Sequence, residues 1–195
     1  MTQRADISGQ PTGRALPGWQ PPPRPGRCSL DRRFCRTEPL DVARHARQFY
    51  DASSRDPQVR MWTCLCSGPC ASFDEYRAWL EPGPASEDPL FFALVDKGRA
   101  QAVGTGTCMR IDAANGFVEG GHPAFSPPMQ RTPVATAAMY LMMRNAFELR
   151  YGRCEWKCDA LDDACRAWLD PANFDAAGRQ RVSPVGIRIS QTSSD

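Results

Sequence analysis

The run FSPPMQRTPVATAAMYLMMR, residues 125–144, limits the possible folds more than any other part of the chain. Thr132 followed by Pro133 reads as a helix start. A residue suited to the N-cap precedes a proline whose fixed φ fits the first helical position, where a missing N–H costs nothing. The helix predicted from there to about Arg150 carries Val134, Ala138, Leu141, Met142 and Phe147, with Met139 and Met143 besides. Apolar side chains therefore cover more than one face, and such a helix needs burial on most of its surface. It lies between two strand-like segments, FVEGGHPAF (117–125) and YGRCEWKCDAL (151–161). Strand, apolar helix and strand in that order predict a right-handed crossover onto a parallel neighbour.

The rest of the chain supplies antiparallel partners. LFFALVD (90–96) reads as a buried strand, QAVGTGTCMRID (101–112) as its hairpin partner, and Asn115-Gly116 as the turn into 117–125. SLDRRFCRTEPL (29–40) is predicted to be one first strand, with Leu30 and Phe34 meeting the core. Asp41 is predicted to cap a helix over VARHARQFYDAS, and Ser72 a second helix over FDEYRAWL, with Glu75 in capping-box spacing. The expected fold class is α/β: a mixed, mostly antiparallel sheet with a central parallel βα crossover and helices on both faces. Residues 1–28 are rich in Pro and Arg and are expected to be an extended, polyproline-like or disordered arm, with Trp19 able to pin it. Residues 29–169 form the expected domain, and 170–195 a poorly ordered tail.

Composition excludes several function classes. A formal net charge of +2 gives no general electrostatic case for nucleic acid or an acidic membrane surface. No apolar run approaches the roughly 20 residues of a membrane span, and the N-terminus has no continuous secretory apolar stretch. A reducing, cytoplasmic compartment is expected, with the 9 cysteines mostly free thiols. Cys64, Cys66 and Cys70, and Cys154, Cys158 and Cys165, lack paired C-x-x-C spacing, so no metal is expected. Neither a Gly-x-Ser-x-Gly elbow nor a Walker-type phosphate loop is present; Gly104 and Gly106 lie in a strand pair, where they would allow a bulge or a close approach of a cofactor.

The helix start is the feature with chemistry in it. Its first N–H groups have no partner inside the helix, the helix dipole adds roughly half a positive charge, and Arg131 adds a full one. A phosphate or pyrophosphate fits such a place, and a well-capped core helix that holds no ligand is the structural alternative. On the preceding strand Glu119 is the leading candidate base, with pairing to an Arg as the structural alternative. His122, close by, is of a type that titrates in the useful range, but a structural role is the favoured reading for it.

The run EDPLFFALVDK, AVGTGTCMRIDAANGFVEGGHPAFSPPMQRTPVATAAMYLMMRNAFELRYGRCEWKCDAL resembles the GNAT family of N-acetyltransferases, in the branch akin to ribosomal-protein N-terminal acetyltransferases. LPGWQPPPRP, RFCRTEPLD and WTCLCSGPCASFDEYRAWL extend the likeness over roughly residues 16–161. The resemblance implies that one strand splays from its parallel neighbour and that acetyl-CoA, a co-substrate, lies in the gap. Its pyrophosphate would meet Gln130, Arg131, Thr132, Pro133, Val134 and Ala135, with Pro133 and Ala135 where the family signature has Gly and Gly or Ala. An amine, either a small molecule or a peptide N-terminus, would attack the thioester directly, with Glu119 or His122 taking its proton. Past CDAL the chain departs from the family, and AWLDPANFDAAGRQR looks like an end reached early. The expectation is an internally shortened C-terminal part that leaves a sheet edge uncovered along CEWKCDA, open to self-association, and a GNAT-like domain limited to binding CoA or a protein partner as the alternative function.

Overall fold

The computed structural model describes residues 4–5, 7–12, 17–63, 65, 67–159 and 187–192. Two short strands of the arm, β1 (Arg4–Ala5) and β2 (Pro11–Thr12), pair antiparallel. The domain is built on one seven-stranded sheet in which spatial order follows chain order. Its strands are β3 (Leu30–Asp31), β4 (Cys35–Pro39), β5 (Leu90–Asp96), β6 (Gln101–Asp112), β7 (Phe117–Phe125), β8 (Arg153–Asp159) and β9 (Ile187–Thr192). Neighbours from β3 to β7 are antiparallel; β7–β8 and β8–β9 are parallel. The helices are α1 (Val42–Ser53), α2 (Phe73–Leu80) and α3 (Pro133–Glu148). This is the mixed, mostly antiparallel α/β sheet with a parallel crossover that the sequence predicts.

Two cores lie on opposite faces of the sheet. On one face α3 sets Met139, Met142 and Ala138 against Leu94, Val103, Val118 and Trp156. On the other, Phe49 of α1 and Tyr76 and Leu80 of α2 pack with Trp62 over Ala93, Val95 and Ala102. Alternation along each strand produces this split, since successive side chains point to opposite faces. Gly104 and Gly106 serve the α3 face. A Cβ on Gly104 would stand 2.8 Å from Met129 Sδ and from the Ala124 carbonyl, and one on Gly106 3.2 Å from Met142 Sδ. Their missing side chains make room for methionines, and the register shifts beside them are the bulges expected there.

Local signals at α1 and α2 behave as predicted. Asp41 Oδ1 accepts the Arg44 N–H at 3.1 Å, and Ser72 Oγ the Glu75 N–H at 3.2 Å. Glu75 reaches back one residue further than a capping box requires, accepting the Ala71 N–H at 2.7 Å. Three expectations need correction. Residues 29–40 form two strands, not one: Arg32 N–H donates to the Cys35 carbonyl at 2.9 Å and closes a hairpin. Phe34 falls at that turn, off the sheet face, and is 43% exposed with the Arg33 guanidinium 5.0 Å from its ring centre. The edge along CEWKCDA is not open, because β9 pairs with β8 from Cys154 to Asp159. The boundary expected at 169 and 170, the departure after Leu161, and Cys64, Cys66 and Cys165 lie outside the described residues.

Candidate active site

Strands β7 and β8 run together for four residue pairs and then part. Phe117 to Gly120 pair with Arg153 to Trp156; beyond them, Gly121 to Phe125 stay only with β6, while Lys157 to Asp159 stay with β9. A wedge opens at the carboxyl end of β7. A bulge deepens it: between the pairs Thr105–Ala124 and Thr107–Gly121, β7 has one residue more than β6. His122 absorbs the extra length with φ +45°, a left-handed conformation in which His is less strained than bulkier residues.

From that end the chain passes directly to the start of α3. The connecting loop is held by its own groups. Ser126 Oγ donates to the Val103 carbonyl, Met129 N–H to the Ser126 carbonyl at 2.8 Å, and Gln130 Nε2 to the Phe125 carbonyl at 2.8 Å. Thr132 stands at the N-cap with extended backbone, yet its hydroxyl donates to the Met129 carbonyl at 2.6 Å and caps nothing. This corrects the capping role read from the sequence, and the reason is the tight turn before it. Arg131 takes φ +57° and bends the chain back so that Thr132 Oγ1 meets Met129. Among the described residues the N–H groups of Arg131, Thr132 and Val134 have no acceptor, while that of Ala135 donates to the Thr132 carbonyl at 3.2 Å. Pro133 has none to give. The Arg131 side chain is exposed and has no described ion-pair partner. Val134 and Ala135 are buried, so they offer backbone rather than side chains. Free N–H groups, the positive helix end and the exposed Arg131 side chain therefore lie together on the loop that follows β7.

The candidate bases sit differently. Glu119, 4% exposed, faces away from α3 and is ion-paired: Lys157 Nζ of β8 lies 2.5 Å from Oε2, and Arg110 Nε of β6 lies 3.6 Å away. Two cations already engage this carboxylate, so the arginine pairing named as the structural alternative is present, with a lysine added. His122 is exposed and lines a cleft of about 340 Å³ on the α2 face of the sheet. Glu119 is not among the residues lining that cleft. Leu65, Trp79, Pro82, Pro89, Phe91 and Ala124 form its apolar wall; Ser67, Ser86 and Thr105 join His122 as polar groups. Of the aromatics that could line a pocket, Trp62 and Tyr76 belong to the core, stacked edge-on 5.9 Å apart, and Trp79 serves both core and cleft. Burial lifts the Tyr76 hydroxyl to about 12, so it is no base at neutral pH. The sequence reading missed Phe91, Thr105 and the Lys157 partner of Glu119. The first two looked like ordinary strand residues, and the third becomes a neighbour only through the crossover.

No group of three or more His, Cys, Asp or Glu side chains placed to hold a metal ion occurs among the described residues. Cys28, Cys35, Cys70, Cys108 and Cys154 are free thiols; burial raises Cys35, Cys108 and Cys154 to about 12, which leaves them inert. No described helix is long and apolar enough to cross a membrane.

Solved structures of acetyltransferases share this fold. A GCN5-related N-acetyltransferase from Brucella melitensis is 38% identical with a TM-score of 0.75, over 78% of this chain and 70% of that one. A probable acetyltransferase of the GNAT family from Chromobacterium violaceum is 32% identical with a TM-score of 0.72, over 80% of this chain and 78% of that one. RimJ of Mycobacterium smegmatis, in complex with CoA-disulfide, shares the fold at 15% identity and a TM-score of 0.56, over 69% of this chain and 67% of that one. No protein-family model matches the chain, and no curated protein does. The chain belongs to the GCN5-related N-acetyltransferase family, the GNAT family of acetyltransferases.

Proposed function

We propose that the chain is an acetyl-CoA-dependent N-acetyltransferase that moves an acetyl group onto an amine by direct attack. The observation that carries this is the wedge between β7 and β8 opening onto the uncapped start of α3. The binding of CoA-disulfide by the M. smegmatis relative supports the same choice of co-substrate. The free N–H groups of Arg131, Thr132 and Val134, with the Arg131 guanidinium, suit a pyrophosphate. Gln130 shapes the loop by bracing Phe125, and Pro133 sets the first helical turn. Acetyl-CoA supplies an acetyl group already activated as a thioester. His122 takes the proton of the arriving ammonium, directly or through a water, in the cleft it lines. The neutral amine nitrogen then bonds to the carbonyl carbon as the carbon–sulfur bond breaks, and the second proton that the nitrogen loses passes through water to the departing thiolate. Glu119, neutralised by Lys157 and Arg110, keeps β6, β7 and β8 in register at the root of the wedge. The reading includes a cytoplasmic place of work. The alternative, a domain that binds CoA or a protein partner without turnover, draws support from how fully Glu119 is committed to its two cations.

Thermal unfolding with and without acetyl-CoA tests the proposal. At about 100 times the dissociation constant the ligand adds roughly 2.7 kcal/mol. The expected result is a rise in midpoint that shrinks in Arg131→Ala. No rise in a folded protein overturns the reading. A rise with no release of CoA thiol in the presence of any amine selects the alternative.

A further inference from the structure

Given the acetyltransferase reading, on which this inference rests, the lining of the cleft beside His122 restricts the acceptor. No Asp, Glu, Lys or Arg lines it among the described residues. An acceptor with a second ammonium group, such as a polyamine or an aminosugar, would bury that charge without a carboxylate to meet it. An unpaired buried charge is costly enough to prevent binding in that form. Of the carboxylates on flanking segments, Asp88 accepts the N–H groups of Arg110 and Ile111 at 2.8 and 2.9 Å, Glu119 holds Lys157 and Arg110, and Glu81 and Glu87 are exposed and do not line the cleft.

The rim is also poor in the groups a peptide needs. A bound peptide satisfies its backbone by pairing with exposed N–H and C=O groups. Pro82 and Pro89 in the wall have no N–H. The carbonyls of Ser86 and Glu87 already accept from Arg27 and Arg24 of the arm, at 2.5 and 2.9 Å. What remains is apolar and aromatic surface from Trp79, Phe91, Leu65 and Ala124, with Thr105, Ser67 and His122 as neutral polar points.

We infer that the acceptor is a small primary monoamine with an apolar or aromatic body, its nitrogen at His122 and its body against Trp79 and Phe91. The cleft volume of about 340 Å³ lies at the small end of ligand sites, in keeping with an acceptor that brings no chain of its own.

The test is release of CoA thiol by the full chain with saturating acetyl-CoA and one of three acceptors: phenethylamine, spermidine or a peptide with a free N-terminal serine. Acetyl-CoA binding is measured separately by the shift in melting. Phenethylamine is expected to have a kcat/KM at least about tenfold above both others. Trp79→Leu is expected to raise its KM about tenfold while leaving the acetyl-CoA shift in place. Because Trp79 also touches Trp62 and Tyr76, a second variant guards against misfolding. Ser67→Asp adds a carboxylate to the cleft wall and is expected to move preference from phenethylamine toward spermidine. Acetyl-CoA binding combined with better turnover of spermidine or peptide, or with no turnover of phenethylamine, overturns the inference and leaves the co-substrate reading intact. Absence of acetyl-CoA binding sinks both. Equal preference in wild type and Ser67→Asp also counts against the inference, because the cleft would then not be where the amine lies.

Discussion

His45 shows what burial does to one side chain. It is 1% exposed on α1, its Nδ1 accepts the Asp41 N–H at 3.1 Å, and its Nε2, 3.7 Å from Glu38, has no hydrogen-bond partner among the described residues. Burial first, then the Arg44 charge, lower its pKa from 6.5 against the opposite pull of Glu38 and Asp41. The unfolded chain therefore binds a proton near pH 6.5 that the folded chain resists. This contribution to stability is present above that pH and is lost as pH falls below it. The melting midpoint is expected to drop between about pH 7.5 and pH 5.5, and less steeply in His45→Gln, where no imidazole titrates. A drop of unchanged steepness in the variant would assign the effect to other groups. Lys157 makes a second case at this scale. Lys157→Met strips Glu119 of its closer cation while Arg110 stays 3.6 Å away. Removing one partner of a buried pair costs about 3–5 kcal/mol, and Lys157 is a quarter exposed, so about half of that is expected in urea unfolding.

At the scale of elements, α3 is a methionine-rich helix resting on a glycine-rich patch of sheet. Met is unbranched and fills irregular space well, and Gly104, Gly106 and Gly120 supply that space. The three glycines differ in what a methyl group would meet. At Gly106 and Gly120 the neighbours are the ends of side chains; at Gly104 one neighbour is the Ala124 backbone carbonyl, which cannot move aside. Gly104→Ala is expected to destabilise the fold by about 1–3 kcal/mol, and Gly106→Ala by clearly less, in urea unfolding. Equal losses would mean that α3 shifts as a body. Elements with a clear period, β5 to β7 and α1 to α3, were legible in the sequence because alternation or helical spacing carries them. The turn at Arg32 to Phe34 was not, since it breaks a run of strand-like residues with no Gly or Pro. Thr132 looked like a cap by type, and only the backbone turn at Arg131 decides that its hydroxyl faces the other way. The position of the α3 start was legible from Arg131-Thr132-Pro133 alone. The cleft was not, because Trp79, Phe91 and His122 come from three separate parts of the chain.

Across the whole molecule, the arm and the domain meet along the rim of the cleft. Pro22 and Pro25 are buried, three residues apart as one face of a polyproline helix requires. Trp19 reaches the turn at Gly116, where an added Cβ would stand 3.2 Å from its ring. Arg24 and Arg27 tie the arm to the carbonyls of Glu87 and Ser86. Deleting residues 1–28 is expected to speed hydrogen exchange around Leu90 and Phe91 and to lower the melting midpoint by a few degrees, about 1 kcal/mol for a domain of this size. Unchanged exchange there would mean that the rim stands without the arm.

The sheet adds its strands from β3 to β9 in the order in which a ribosome delivers them. Each strand can therefore dock on the one before it while the rest of the chain is still being made, with α1 and α2 made before β5 and α3 made before β8. While α3 is being made the far edge of β7 carries unpaired backbone groups and the apolar face awaiting α3 is bare. A nascent chain stalled between Phe125 and Arg153 is thus the species most in need of a chaperone. The wedge begins as a gap that synthesis leaves in the sheet until β8 arrives.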